Sequence, residues 1–257
     1  MIADPMRLST LHGTAADVTM VRLHDNPRRR LEESLGVAIV LSIAGGYLDA
    51  FTWIAHDGVM ANAQTANVVL LGVHAAMGQA SKALHQIPPI AAFVAGVFVV
   101  YRLRARIRDA SGRRLALLCL SIEIVVLGVV MMLHRHVPDV AGTLGISFAA
   151  ALQTASFARL KGGAYSSVMV TGNLRSMTET FSGWLDKRDP DALRQMRALV
   201  AVCLAFAIGA GLGAGVTASF ESEALAGPIL LLVAALLLCT PHQMRGRLFP
   251  GRALVEE

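Results

Sequence analysis

Long apolar stretches separated by short polar ones dominate this sequence. Six of them are predicted to be membrane-spanning helices, since a helix needs about 20 residues to cross ~30 Å of hydrocarbon. They lie at about residues 35–55, 87–101, 115–133, 140–158, 198–220 and 224–240. The second begins with Pro88-Pro89, which suit the first turn of a helix. The pattern therefore predicts an all-α membrane protein with about six transmembrane helices.

Two shorter segments, residues 62–77 and 168–184, carry related motifs about a hundred residues apart. Thr171-Gly172-Asn173 in the second segment corresponds to Thr65-Ala66-Asn67 in the first. We call them the first and second motif segments. Each is too short or too polar for its pattern to assign it as a span. Each is therefore either a re-entrant, broken helix or a full crossing.

The distribution of arginine and lysine favours the re-entrant alternative. If neither segment crosses, the positive charges gather in the two tails and in the second and fourth loops, all on the cytoplasmic side. If both cross, the arginine cluster at residues 102–114 lies outside, which the positive-inside rule disfavours. With three crossings in each half, residues 35–134 and 139–241 are expected to form inverted repeats. Inverted repeats with broken helices are common in secondary transporters.

Two tails flank the predicted transmembrane domain, residues 35–242. Residues 1–34 are polar, end near Arg28-Arg29-Arg30 and contain no early apolar run of the signal-peptide type. We expect a disordered cytosolic tail there, and a second cytosolic tail at residues 243–257. Both termini are then cytoplasmic.

Composition agrees with a protein that needs lipid around it. Of 257 residues, 54% are hydrophobic and 16% are charged, whereas soluble domains have about 25% charged residues. The net charge is +5. The basic residues lie beside apolar runs and no nucleic-acid-binding motif accompanies them, so we expect no nucleic-acid partner. Cys119, Cys203 and Cys239 lack metal-ligand spacing. His134 and His136 are better explained as solvated loop residues, so no metal or other cofactor is expected.

Several short motifs occur in an order that resembles the YoaK family, also called DUF1275. They are GGYLDA at 45–50, GVM at 58–60, TAN at 65–67, LQ at 152–153, GG at 162–163, TGNL at 171–174 and the glycine-rich run at 209–215. The resemblance covers about residues 35–242. It implies a six-span protein of the bacterial inner membrane and no particular substrate. Ala66 departs from the family's usual glycine, and Thr154 stands where asparagine is common.

Polar side chains within the apolar helices are the first functional candidates, since a charge at the centre of a membrane helix costs about 2.5–3.5 kcal/mol. Asp49 is a candidate proton, cation or substrate site, with a helix–helix hydrogen bond as the alternative. Glu123 is a second proton site or a buried structural acid, and no acid occupies the matching position near Leu232. Gln153 lies as far into the fourth helix as Asp49 does into the first. It either binds substrate or joins helices.

The motif residues themselves are the other candidates for substrate binding. Short polar side chains can hold freed backbone groups or a ligand, and helix amino ends attract anions. Helix capping and packing are an equally weighted alternative. The candidates are Thr65, Asn67, Thr171, Gly172 and Asn173. Gly209 and Gly213 have GxxxG spacing, which allows close helix packing within the chain or in a homo-oligomer.

These observations favour a small-solute secondary transporter or permease of the inner membrane, with proton coupling through Asp49 and Glu123. The solute is unknown. The main alternative is a non-transporting scaffold or accessory subunit, whose arginine-rich loop binds a partner or anionic lipids. No P-loop or GxSxG motif is present, so we do not expect the protein to be an enzyme. The third alternative, after transporter and scaffold, is an intramembrane enzyme. A cavity between the motif segments would favour transport.

Overall fold

The computed structural model describes residues 31–107, 112–133, 136, 138–160 and 163–240. Most of the predicted tails lie outside this range, as do Arg108, His134, Arg135, Lys161 and Gly162. The helices are α1 Leu35–Ala55, α2 Gln64–Ala76, α3 Ala80–His85, α4 Ile87–Arg106, α5 Arg113–Leu133, α6 Asp139–Ser156, α7 Val170–Lys187, α8 Pro190–Phe220 and α9 Ala226–Cys239. Short 3-10 helices cover Leu31–Glu33 and Glu221–Leu225, and Arg159–Leu160 pairs with Gly163–Ala164 as antiparallel strands β1 and β2.

Among the residues that the structure describes, four helical stretches are long and apolar enough to cross a membrane. They are Leu35–Ala55, Ala80–Arg106, Arg113–Leu133 and Pro190–Phe220. The apolar stretch Glu223–Cys239 is shorter, and α6 is not among the four. An all-α membrane protein with several apolar helices is therefore confirmed. The finer prediction of six spans does not follow from length and apolarity.

The largest boundary difference is at α8, which begins at Pro190 and not near residue 198. The carboxylate of Asp189 caps it by accepting a hydrogen bond from the Asp191 amide at 2.9 Å. Pro190 occupies the first turn, where its missing N–H costs nothing. The apolar run predicts only the part of α8 that can lie in lipid. The polar residues before that run are helical as well, because helix formation does not require apolar side chains.

Two helix pairs pack most extensively, α1 with α8 and α4 with α6. Small residues bring the first pair together. A Cβ at Gly46 would collide with the Phe206 carbonyl, and one at Gly213 would lie 2.6 Å from the Tyr47 carbonyl oxygen. At the second crossing, a Cβ on Gly96 would lie 2.8 Å from the carbonyl oxygen of Phe148. Backbones at both crossings therefore approach as closely as small-residue packing permits.

After α1 the chain turns back along the helix. The reversal occurs at Asp57 and Gly58, which have φ values of +50° and +78°. Asn62 then donates through Nδ2 to the Gly45 carbonyl oxygen at 2.9 Å. Gly45 lies ten residues before the end of α1, or about 15 Å at the α-helical rise. The first motif helix, α2, therefore starts beside the middle of α1.

The first motif segment then leads back toward the end of α1. His85, at the end of α3, has Nε2 4.0 Å from the Asp139 carboxylate. The same carboxylate hydrogen-bonds His56 Nδ1, just after α1. The ends of α1 and α3 and the start of α6 therefore lie together at one end of the molecule.

The chain after α6 returns along its own helix in a similar way. The short β1–β2 hairpin reverses the direction, and Ser167 then accepts a hydrogen bond from Gln153 Nε2 at 2.8 Å. Gln153 Nε2 also donates to the Leu41 carbonyl oxygen of α1 at 3.0 Å. The second motif helix, α7, therefore starts next to both α6 and α1 and ends at Lys187 before α8.

Candidate functional site

The two motif segments meet at a cavity of about 890 Å³. The first segment contributes Asn62 and Thr65, the second contributes Thr171 and Gly172, and α1 contributes Asp49. Aromatic side chains from α1, α4 and α8 form much of the remaining wall, and they are Trp53, Phe93 and Phe206. The volume falls within the ~300–1,000 Å³ typical of small-molecule sites. The polar groups are few and come from both halves of the chain.

Each motif helix is anchored by an asparagine that binds the backbone seven residues earlier. Asn67 accepts from the Met60 amide at 2.8 Å and donates to the Met60 carbonyl at 2.7 Å. Asn173 accepts from the Ser166 amide at 2.9 Å and donates to the Ser166 carbonyl at 2.6 Å. We call this pair of bonds the asparagine clamp. It satisfies backbone groups that leave regular structure where the chain turns into the helix.

A carboxylate supports the entry into α2. Asp49 Oδ1 accepts from the Asn62 amide at 2.7 Å, two residues before the helix begins. The Thr52 hydroxyl accepts from the Ala61 amide at 3.1 Å. Asp49 is 7% exposed and lines the cavity. One side chain therefore holds the loop and also presents a carboxyl group to the cavity.

Neutral side chains support the entry into α7. Gln153 reaches Ser167 and α1, as described above, and the Ser166 hydroxyl accepts from the Met169 amide at 3.1 Å and the Val168 amide at 3.3 Å. Gln153 is 1% exposed and does not contribute to the wall of the cavity. Gln153, which the sequence analysis pairs with Asp49 by its position along the helix, is therefore uncharged.

The first turns of α2 and α7 both face the cavity. The residues that precede them, Ala63 and Met169, make no side-chain capping bond. Both belong to the cavity wall. The first amide groups of a helix have no partner within it and carry a partial positive charge. The cavity is therefore bounded by two positive helix ends and one acidic side chain.

The predicted binding residues divide into two groups. Asp49, Thr65, Thr171 and Gly172 line the cavity. Asn67, Asn173 and Gln153 lie behind them, where they are buried and hydrogen-bonded to other parts of the chain. The first group can touch a ligand, whereas the second holds the motif segments in place.

Glu123 lies apart from the cavity. It is on α5, fully buried, and neither carboxyl oxygen has a hydrogen-bond partner within the described residues. A buried carboxyl without partners is costly when ionised, so a neutral, protonated acid fits this position. Proton coupling through Glu123 stays a prediction, and its carboxyl group does not belong to the cavity wall.

Gly209 and Gly213 both lie against α1 of the same chain. A Cβ at Gly209 would collide with the Ile43 backbone, and Gly213 lies against Tyr47. The small residues of this motif therefore serve packing inside the chain. Formation of a homo-oligomer through them stays a prediction.

Asn62 is the main residue of the site that sequence reasoning missed. It lies two residues after GVM and three before the TAN motif, so only its closeness to these motifs could have marked it. The aromatic walls carried no signal either, because Phe93 and Phe206 are brought to the cavity by α4 and α8 from distant parts of the chain. In the part of the chain that the structure describes, no three His, Cys, Asp or Glu side chains are grouped to hold a metal ion.

Comparison with known proteins gives one match. The family model described as "Protein of unknown function (DUF1275)" matches residues 37–238. No curated protein and no solved structure matches this chain. The matched range contains both motif segments and every cavity residue named above.

Proposed function

This chain belongs to the DUF1275 family, whose description states no activity, and we propose from its geometry that it is a small-solute secondary transporter of the bacterial inner membrane. The solute would bind between α2 and α7. One observation carries this proposal: a single cavity is lined by the first turns of both motif helices and by a buried carboxylate. Binding between broken helices from two repeats is a common design in secondary transporters.

The proposal includes six spans arranged as two inverted repeats. The helix pairing supports it, because α1 packs on α8 as α6 packs on α4, and α1 packs on α9 as α6 packs on α5. The asparagine clamps support it too, since Asn67 and Asn173 each bind the residue seven positions earlier. In both the helix pairs and the clamps, each element of the first half has a counterpart in the second half.

Contacts at the helix ends support a re-entrant course for the first motif segment. His56 and His85 share the Asp139 carboxylate, so the chain leaves and regains the same end of the bundle. At the starts of α1 and α5, Glu32 lies 3.7 Å from Arg113. Arg113 belongs to the arginine cluster that the positive-inside rule assigns to the cytoplasm. The His56 end would then face the periplasm.

Proton coupling would involve Asp49 and Glu123. Asp49 borders the cavity, so its protonation can respond directly to the solute. Glu123 is retained as a second proton site because an ionisable group buried in a membrane helix is a functional candidate by default. In reconstituted vesicles, transport driven by a pH gradient should be lost in Asp49→Asn. Unchanged flux in both Asp49→Asn and Glu123→Gln would contradict the coupling.

Alternating access can be tested without knowing the solute. Single cysteines would replace Thr65 or Thr171 in a protein lacking Cys119, Cys203 and Cys239. Right-side-out and inside-out vesicles would then be treated with a membrane-impermeant thiol reagent. We expect each position to be labelled from both faces, because the cavity would open to each side in turn.

Val125→Cys provides the matched control, since this side chain is 62% exposed on the apolar surface of α5 and should face lipid. It should stay unlabelled from either face. Cysteines at Gln79 and Asp189 would report topology, with labelling expected only from outside and only from inside, respectively. Labelling of Thr65→Cys and Thr171→Cys from one face alone, or from neither, would favour the scaffold alternative.

A further inference from the structure

We infer that the cavity binds a small zwitterion with an apolar body, an inference that rests on the proposed transport function. The amino group of the solute would bind at Asp49 and Asn62. Its carboxylate would bind at the first turn of α7. The argument comes from the different chemistry of these two ends of one cavity.

The first end offers acceptors, namely a carboxylate that already accepts from the Asn62 amide and an amide oxygen that has no donor. Asp49 is the only charged residue in the described wall of the cavity. Asn62 is 4% exposed, and its Nδ2 is used by the Gly45 carbonyl. Its Oδ1 is buried and has no hydrogen-bond partner among the described residues. A carboxylate next to an unused amide oxygen matches an ammonium group, which has three donors and no acceptor.

The second end offers donors that lack acceptors. The Ser166 hydroxyl serves the amides of Val168 and Met169, but no hydrogen bond within the described chain uses the amides of Thr171 and Gly172. Both residues line the cavity. The free amides and the helix dipole favour a carboxylate.

The two helix starts are not equivalent for an anion. At α2, the Asp49 carboxylate binds the Asn62 amide in the loop just before the helix, so an acidic group already lies beside that end. At α7, the corresponding side chain is Gln153, which is neutral and donates its amide hydrogens elsewhere. An anionic group is therefore attracted to α7 and repelled from the Asp49 side. This difference fixes the orientation of the solute.

The wall between the two ends is apolar and aromatic. Trp53, Phe93 and Phe206 contribute to it, together with Met60 and Ile54. Such a wall favours an uncharged hydrocarbon body, because burial of apolar surface is the main source of affinity there. The volume of about 890 Å³ accommodates side chains as large as an aromatic ring.

The test uses three matched series of probes on the purified full-length protein in lipid nanodiscs. Alanine, leucine and phenylalanine are the zwitterions. For each, the amine without the carboxylate and the acid without the amine are the controls, and binding is measured by isothermal titration calorimetry. We expect at least one zwitterion to bind roughly ten- to a hundredfold more tightly than both of its analogues, since each charged hydrogen-bonded group contributes about that factor.

Two variants should separate the two ends. Asp49→Asn should weaken binding of the zwitterion and the amine, but not of the acid. Thr171→Asp places a carboxylate at the start of α7 and should weaken binding of the zwitterion and the acid, but not of the amine. Ser182→Asp is the control, because it adds the same charge farther along α7 at an exposed position. It should bind all probes as the original protein does.

Equal affinity for a zwitterion and one of its analogues would overturn the inference, as would a lack of binding by all three zwitterions. Those results leave the proposed function intact if Thr65→Cys and Thr171→Cys are still labelled from both faces. Conversely, zwitterion binding with labelling from one face alone would retain the binding site and overturn transport.

Discussion

The two motif segments begin with the same asparagine clamp but are supported by different side chains. In the first half, a carboxylate, Asp49, holds the loop before α2. In the second half, an amide, Gln153, contacts the loop before α7 through Ser167. Both halves use the clamp, so the clamp is the common requirement for starting a motif helix. The supporting side chain differs, so a carboxylate and an amide can each serve beside the same clamp.

The two motif helices also differ beyond their first turns. α2 exposes large apolar side chains, with Val68, Val69 and Val73 all at least 45% exposed. α7 is amphipathic and pairs Arg175 with Glu179 on an exposed face. The surface of α2 suits lipid, whereas that of α7 suits the boundary of membrane and water. Similar folding of the two segments therefore does not imply similar surroundings.

The largest expected effect comes from breaking the clamp. Asn67→Ala and Asn173→Ala each remove the two hydrogen bonds of the clamp and leave a backbone N–H and C=O without partners. We expect each to lower the free energy of unfolding by about 2–3 kcal/mol. Asn67→Ala should cost more, because Asn67 also donates to Gln64 at 2.9 Å. Denaturant unfolding in detergent would measure the difference.

Thr65→Ala and Thr171→Ala are the controls for this comparison. Both threonines are exposed at the cavity, and their loss should change stability by less than about 0.5 kcal/mol. If the asparagine variants were no less stable than these, the clamp would not be what shapes the motif segments.

The clamp also shows what the sequence could and could not predict. The apolar runs placed the long helices well, and α1 has the predicted bounds of 35–55. Asn67 and Asn173 were recognised as important, but the sequence left open whether they bind ligand or backbone. That choice depends on which backbone groups lie beside each asparagine, and therefore on the two places where the chain reverses, after α1 and after α6. Local patterns do not encode such a contact.

The next effect should come from placing a charge on the outer faces of the two motif helices. Val69→Lys puts a cation where α2 is 57% exposed and should face lipid. The cost there is up to about 3 kcal/mol. Leu185→Lys lies near the end of α7, beside Lys187, and should have almost no effect at a membrane–water boundary. Yield of inserted protein and thermal stability in the same lipid would be compared. Equal tolerance at both positions would contradict the difference in surroundings.

A smaller effect is expected when the second half is given the acid of the first. Gln153→Glu removes the donor that serves Ser167 and the Leu41 carbonyl. An ionised carboxylate would then face that carbonyl oxygen. We expect a loss of about 1–3 kcal/mol. Gln153→Met, which fills similar volume without charge, would show how much of the loss comes from hydrogen bonds alone. A Gln153→Glu protein as stable as the original would mean that the two halves can exchange their supporting groups.

The smallest effect on stability should follow the reverse change, Asp49→Asn. The asparagine oxygen can still accept from the Asn62 amide, so only the difference between a charged and a neutral hydrogen bond is lost, about 1 kcal/mol. Transport and binding of amines should nevertheless fall sharply, because the only charge in the described cavity wall is gone. Unfolding and amine binding would be measured on the same preparation. If Asp49→Asn instead destabilises the protein as much as Asn67→Ala does and leaves amine binding unchanged, then the carboxylate serves the fold. The chemical difference between the two halves would then be structural, and neither proton coupling nor recognition of an amino group could rest on Asp49.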